Sequence, residues 1–297
     1  MGFLPLLRMR MSIALLRATA LELAILTAHM IVYPSGLIPE RRPAGPACGS
    51  PPPEYPEPPN PQETSGFAGS LGSLGSPEPQ ALPTRSSHPP AVLLHGFVDN
   101  RSVFVLLRRS LVRQSGRHVE SLNYSPLTCD IRTAAELLGR HVEEICARTG
   151  RQRVDIVGHS LGGLIARYYV QRLGGDHRVR TLVTLGTPHA GTSVAPLASA
   201  HPIVRQMRPG SAVIEELRLP APGCRTRFVS FWSDLDQIMV PLETARLDHP
   251  DLIVRNVRVS GIGHLALPVH PAVAAGIREA LEASGAEADS SGAVSVA

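Results

Sequence analysis

The sequence predicts an α/β fold: a parallel sheet with helices on both faces. Two observations lead there. Between residues 90 and 284, short apolar runs alternate with segments of helical period, the pattern of strands joined by crossover helices. One apolar run, "VDIV", passes directly into a helix through Gly-His-Ser-Leu-Gly, with Ser160 at the changeover.

Taken in order, "AVLLHGF" (91–97) is a buried strand and "SVFVLLRRSLVRQSG" (102–116) a helix stopped by Gly116. "HVESLNYS" reads as a strand. The next helix is the clearest: Ile131, Ala134, Leu138, Val142 and Ile145 fall on one stripe, with Asp130 placed to cap its start and Gly150 its end. Then follow "VDIV", the helix opening at Ser160, the strand "TLVTLG", an insertion from His189 to Cys224, the strands "FVSFW" and "LIVRNVRVSG", and a last helix in 271–283.

The flanks differ. Residues 1–38 are apolar, with Arg8 and Arg10 ahead of the apolar stretch and Arg17, Glu22 and His29 interrupting it. Leu15, Leu23, Leu26, Met30 and Tyr33 share one side of a helical wheel and the charged residues the other. This fits a signal or membrane-associated amphipathic helix, or else a helix docked on the body of the protein. Residues 39–89 are rich in Pro, Gly and Ser and read as a linker. Residues 285–297 read as a disordered tail. The patterned body lies after residue 90, so the N-terminal segment is expected to govern where the molecule sits.

Composition narrows the function. The chain has 297 residues, 43% of them hydrophobic, enough for a sizeable core. The net charge is +4, but all 29 basic residues are arginine and none form a tract, which argues against nucleic acid as a partner. The 4 cysteines (48, 129, 146 and 224) include no CxxC pair, so no zinc site is expected. Their even number is compatible with a disulfide of unread connectivity in an exported protein.

A serine between glycines is a turn in the plainest reading. After a buried strand and before a helix it is more: a nucleophile at a sharp, strained turn needs the room that Gly158 and Gly162 leave, and the helix start favours developing negative charge. The hydroxyl needs a base, and the base an orienting carboxylate. Of 12 histidines, His264 in "VSGIGHLAL" directly follows the last strand. His159 adjoins the serine with its side chain expected to point away, and His189 is expected to support the site by hydrogen bonding. "SDLDQIMVP" ends the preceding strand with two aspartates, of which Asp236 is the chosen partner and Asp234 the competitor. No further ligand run follows to suggest calcium. The oxyanion needs two backbone donors: the N–H of Leu161, after the nucleophile, and that of Phe97, in the loop that His95 and Gly96 keep tight.

These motifs, "HGF", "VDIVGHSLGG", "LGTPHAGT", "SDLDQIMVP" and "GIGHLAL", stand in order, and over residues 90–284 the chain resembles the α/β-hydrolase superfamily, within it the bacterial lipases and esterases. The resemblance implies ester hydrolysis through an acyl-enzyme, without a cofactor, on an acyl-ester or lipid substrate. Carried over by position, Ser160 is nucleophile, His264 base and Asp236 orienter, with Phe97 and Leu161 lining the oxyanion hole. No strand signal precedes "AVLLHGF", so the sheet is expected to be minimal. The insertion either covers the site or walls an acyl pocket. The expected setting is extracytoplasmic, secreted or at a membrane surface reached by the N-terminal segment. The alternatives are an acyltransferase using the same triad and a catalytically inactive, membrane-tethered binding protein.

Overall fold

A computed structural model describes residues 3–37, 88–124, 130–194, 201–283 and 295–296. Seven strands form one sheet: β1 (Ala91–Leu94), β2 (Val119–Leu122), β3 (Val154–His159), β4 (Val179–Leu185), β5 (Arg227–Ser233), β6 (Ile253–Val259) and β7 (Ser295–Val296). Their order is β2-β1-β3-β4-β5-β6-β7 and every pairing is parallel.

Parallel strands buried on both faces carry apolar side chains at successive positions, and these strands do. Val92, Leu94, Ile156, Leu182 and Phe228 enter one core cluster, while Ala91, Leu93, Val157, Val183 and Val229 enter the other. Helices α3 (Ile131–Thr149) and α4 (Leu161–Arg172) cover the first face, and α2 (Val105–Ser115) and α7 (Pro271–Glu282) the second. In α3 the side chain of Asp130 accepts from Thr133 N at 2.7 Å, the helix ends at Gly150 with φ 65°, and the five stripe residues are fully buried. Two short helices, α5 (Pro202–Gln206) and α6 (Ala212–Arg218), lie in the insertion.

The N-terminal segment forms one helix, α1 (Phe3–Leu37), and belongs to the same compact unit as the sheet. Its stretch Leu15–Pro34 is long and apolar enough, by length and composition, to cross a membrane. Here, however, it lies along the body. Ala18, Glu22, Ile25, His29 and Tyr33 recur every three or four residues and are buried or half-buried, while Leu15, Leu23, Leu26 and Met30 are exposed. Tyr33 therefore belongs to the docked face and not with the leucines, and of the charged side Glu22 and His29 meet protein while Arg17 is exposed.

Within the tail expected over 285–297, Ser295 and Val296 pair with Arg258 and Val259 as a parallel edge strand. The open edge of β6 offers unpaired backbone groups that an extended segment can take up. The rest of the tail, nearly all of the linker, and Cys48 and Cys129 lie outside the described residues; Cys146 and Cys224 are free thiols.

Candidate active site

The centre lies at the carboxyl ends of β1, β3, β5 and β6, where a parallel sheet opens its crevice. β3 delivers Ser160 at its end and α4 begins one residue later. Ser160 has φ 53° and ψ −119°, and among the described residues it is the one non-glycine with positive φ. Such strain persists only when the surroundings over-determine it. Ser160 N donates to Leu185 O at 2.8 Å, and its carbonyl accepts from Thr187 Oγ1 and Gly163 N, both at 3.0 Å. The flanking glycines are required by close approach. A β-carbon on Gly158 would lie 2.6 Å from Gly163 N, and one on Gly162 would lie 2.6 Å from His95 O.

The loop after β1 folds against the serine, since a β-carbon on Gly96 would lie 3.3 Å from Ser160 Cβ. His95 braces this loop. Its ring stacks on Tyr124 at 4.4 Å, its Nδ1 donates to Gly96 O at 2.9 Å, and the Tyr124 hydroxyl donates to His95 O at 2.5 Å. Phe97 lines the cavity beside Ser160, and Leu161 is fully buried as the first residue of α4.

The loops after β5 and β6 bring Asp236 and His264 together, with Asp236 Oδ2 2.8 Å from His264 Nδ1. A carboxylate can only accept, so Nδ1 carries the proton and Nε2 is left for other work. Asp236 Oδ1 accepts from the N–H groups of Ile238 and Met239 at 2.9 and 3.1 Å. Burial would raise the Asp236 pKa, but the His264 charge and these hydrogen bonds outweigh it and hold it below the usual carboxylate value. For His264, burial opposes the imidazolium, yet Asp236, then Glu22 and Asp99, hold its pKa above the ordinary 6.5. Asp234 turns elsewhere, accepting from Arg258 Nη2 at 2.9 Å and Gly261 N at 3.2 Å.

Ser160 and His264 open into one cavity of about 420 Å³, a size suited to a small-molecule ligand. Its walls are largely apolar, formed by Leu26, Phe97, Val194, Val204, Met207 and Met239. Val194, Val204 and Met207 come from the insertion, which thus supplies a wall of the pocket. His189 is buried, with Nε2 3.0 Å from Thr184 Oγ1 and its carbonyl accepting from Arg167 Nη1 at 3.0 Å. Burial, and then the Arg167 charge, keep its pKa well below the ordinary value. Among the described residues no His, Cys, Asp or Glu grouping is arranged to hold a metal ion.

Three groups escaped sequence reasoning. His159 does not merely point away: it lines the cavity, its Nδ1 3.2 Å from Asp99 Oδ2 and its Nε2 3.3 Å from His264 O. Asp99 is buried and also faces His29 Nδ1 at 3.6 Å. Glu22 reaches in from α1 and lines the cavity as well. For Glu22 and His29 a signal existed, two ionisable residues seven apart in an apolar helix, which places them on one face.

A parallel sheet covered by helices on both faces is an α/β-hydrolase-like fold. Comparison with known proteins agrees. A family model described as palmitoyl protein thioesterase matches residues 90–237. A triacylglycerol lipase of Vibrio cholerae serotype O1 is 32% identical over 133 residues, 43% of this chain and 39% of the relative. One of Pseudarthrobacter phenanthrenivorans is 29% identical over 113 residues, 36% of this chain and 35% of the relative. The chain thus spans well under half the length of these curated relatives. Among solved structures, the mature form of a Bacillus licheniformis lipase superposes with a TM-score of 0.56 at 16% identity, covering 71% of this chain and 96% of that one. A Listeria innocua gene product does so with a TM-score of 0.54 at 14% identity, covering 67% and 96%. The chain has an esterase/lipase-like α/β-hydrolase fold, and part of its sequence is similar to proteins of that kind.

Proposed function

We propose that the protein is a serine hydrolase that cleaves acyl esters of lipids through an acyl-enzyme. The observation that carries this reading is the strained Ser160 sharing an apolar cavity with His264, whose other ring nitrogen is held by the buried Asp236. In this mechanism His264 Nε2 takes the Ser160 proton as Oγ attacks the acyl carbon. The oxyanion gathers at the N–H groups of Phe97 and Leu161. The proton then passes to the leaving alcohol, and water repeats the sequence to free the acid. Asp236 fixes the tautomer and stabilises the imidazolium.

The apolar cavity walls support an acyl chain as the bound portion of the substrate. A membrane surface as its source is supported by exposed Leu26, Val98 and Ile238 at the rim, at 41%, 63% and 40%, continuous with the exposed leucines of α1. The docked helix fits lying in the plane of such a surface, apolar side outward. An upright span would carry the charged body into the bilayer with it.

Ser160→Ala is expected to lower kcat by about 10⁴-fold or more on a p-nitrophenyl acyl ester, and to abolish fluorophosphonate labelling. A variant retaining a tenth of the rate would refute the assignment. The match to a palmitoyl protein thioesterase model favours thioesters as a second substrate class. Assaying an oxygen ester and a thioester of the same acyl chain side by side decides between them by kcat/KM.

A further inference from the structure

α1 touches each of the three loops that carry the site. Thr19 Oγ1 accepts from Gln237 Nε2 at 3.2 Å, next to Asp236. His29 faces Asp99, and the Tyr33 carbonyl accepts from Asn100 Nδ2 at 2.8 Å, both in the loop that follows Phe97. Glu22 makes the closest link. Its Oε2 accepts from Leu265 N at 2.8 Å and its Oε1 from Ala266 N at 3.0 Å, the two N–H groups directly after His264.

We infer that Glu22 is a positioning residue of the active site: its carboxylate, brought in by α1, holds the turn that carries His264 and so aims the imidazole at Ser160. The inference rests on the reading of Ser160 and His264 given above. Two consecutive N–H groups of a turn form a small anion-binding concavity, and a bidentate carboxylate fills it with charge-assisted bonds. Ala266 is 1% exposed, so without Glu22 its N–H loses its acceptor where water has little access. Gly263 shows how close the approach is, because a β-carbon there would lie 2.5 Å from Glu22 Cδ. The groups facing His264 are Asp236 from the β5 loop, Asp99 from the β1 loop, His159 at the end of β3 with its ring 4.8 Å away, and Glu22 from α1. His29, on α1, reaches the cluster through Asp99. Glu22 is therefore one of three carboxylates favouring the imidazolium, and its removal lowers the pKa of His264.

The test uses the full chain in detergent, with Glu22→Gln, Glu22→Ala, Gly263→Ala and Ser160→Ala. Glu22→Ala is expected to lower kcat on a short soluble ester by about 100-fold, the scale of a catalytic group displaced by about an ångström, with KM little changed. In Glu22→Gln, of the same shape, the acid limb of kcat/KM is expected to move to lower pH, since a base with a lower pKa stays neutral further into acid. Gly263→Ala, which evicts the Glu22 side chain, should cost much less in the Glu22→Ala background than alone. Wild-type kcat in Glu22→Ala overturns the inference. So does a loss that only tracks the fraction of enzyme able to take a fluorophosphonate label, with the acid limb of Glu22→Gln unmoved, because that is what a purely structural contact does. If Ser160→Ala remains active, the underlying assignment fails instead.

Discussion

Asp234 and Asp236 stand two residues apart, yet only one faces the imidazole. The chain reverses after β5, and Asp236 is drawn inward by the N–H groups of Ile238 and Met239, while Asp234 is left to Arg258 at the surface. Asp236→Asn is expected to lower kcat/KM by about 10³- to 10⁴-fold, because an amide at this position favours the wrong tautomer of His264. Asp234→Asn removes a half-exposed ion pair and should change it by no more than about threefold. The reverse ranking would move the carboxylate role. In the wild type, kcat/KM should rise with pH through an apparent pKa above 6.5, since His264 acts as a base only when neutral and its pKa is raised. An acid limb centred below 6.5 would contradict the charge balance described.

At the scale of elements, the turn between β3 and α4 was readable from sequence, whereas the docking of α1 was readable only as an alternative to a membrane-associated helix, and its partners not at all. The turn is local. Strand, glycines, serine and helix follow one another, and the space each glycine must leave is set by neighbours only a few residues away or by the adjacent β1. The pairing of Asp236 with His264 was readable because each directly follows a strand whose apolar run is evident. α1 differs because its polar face has meaning only beside loops that lie far along the chain. Composition alone made Glu22 and His29 look like blemishes in an apolar helix. Asp99 was hidden likewise, its partners His29 and His159 coming from two other elements. Gly162→Ala tests the local half of this contrast. Its methyl would press on the Leu94 and His95 carbonyls, backbone that cannot swing aside, so a loss of about 1–3 kcal/mol is expected, together with most of the activity. Denaturant unfolding and the ester assay on the same sample would show whether both fall.

Over the whole molecule, β3 joins two kinds of buried polarity. At its far end from Ser160, Asp155 is fully buried, accepting from Arg117 Nη1 at 2.7 Å and from Arg180 Nε and Nη2 at 2.9 and 2.6 Å. Both arginines also donate to Leu281 O, tying α7 to the sheet. Among the described residues the hydrogen bonds of this cluster reach Pro89 and Leu281 and no group of the candidate site. Asp155→Ala strands the buried Arg117 guanidinium and should destabilise the fold by about 3–5 kcal/mol. At a temperature where the variant remains folded, kcat/KM should be unchanged. A loss of activity without a loss of stability would mean that the two ends of β3 are coupled.

Glu22 and Leu265, which meet beside His264, are 243 positions apart. Closing so long a loop is slow relative to forming the nearer strand pairs. On refolding from denaturant, secondary structure measured by far-UV circular dichroism should therefore return first, with catalytic competence trailing as a separate, later phase. During synthesis the same order holds: Glu22 is made 243 positions before Leu265, so its carboxylate waits for most of the sheet to emerge before the turn it grips exists.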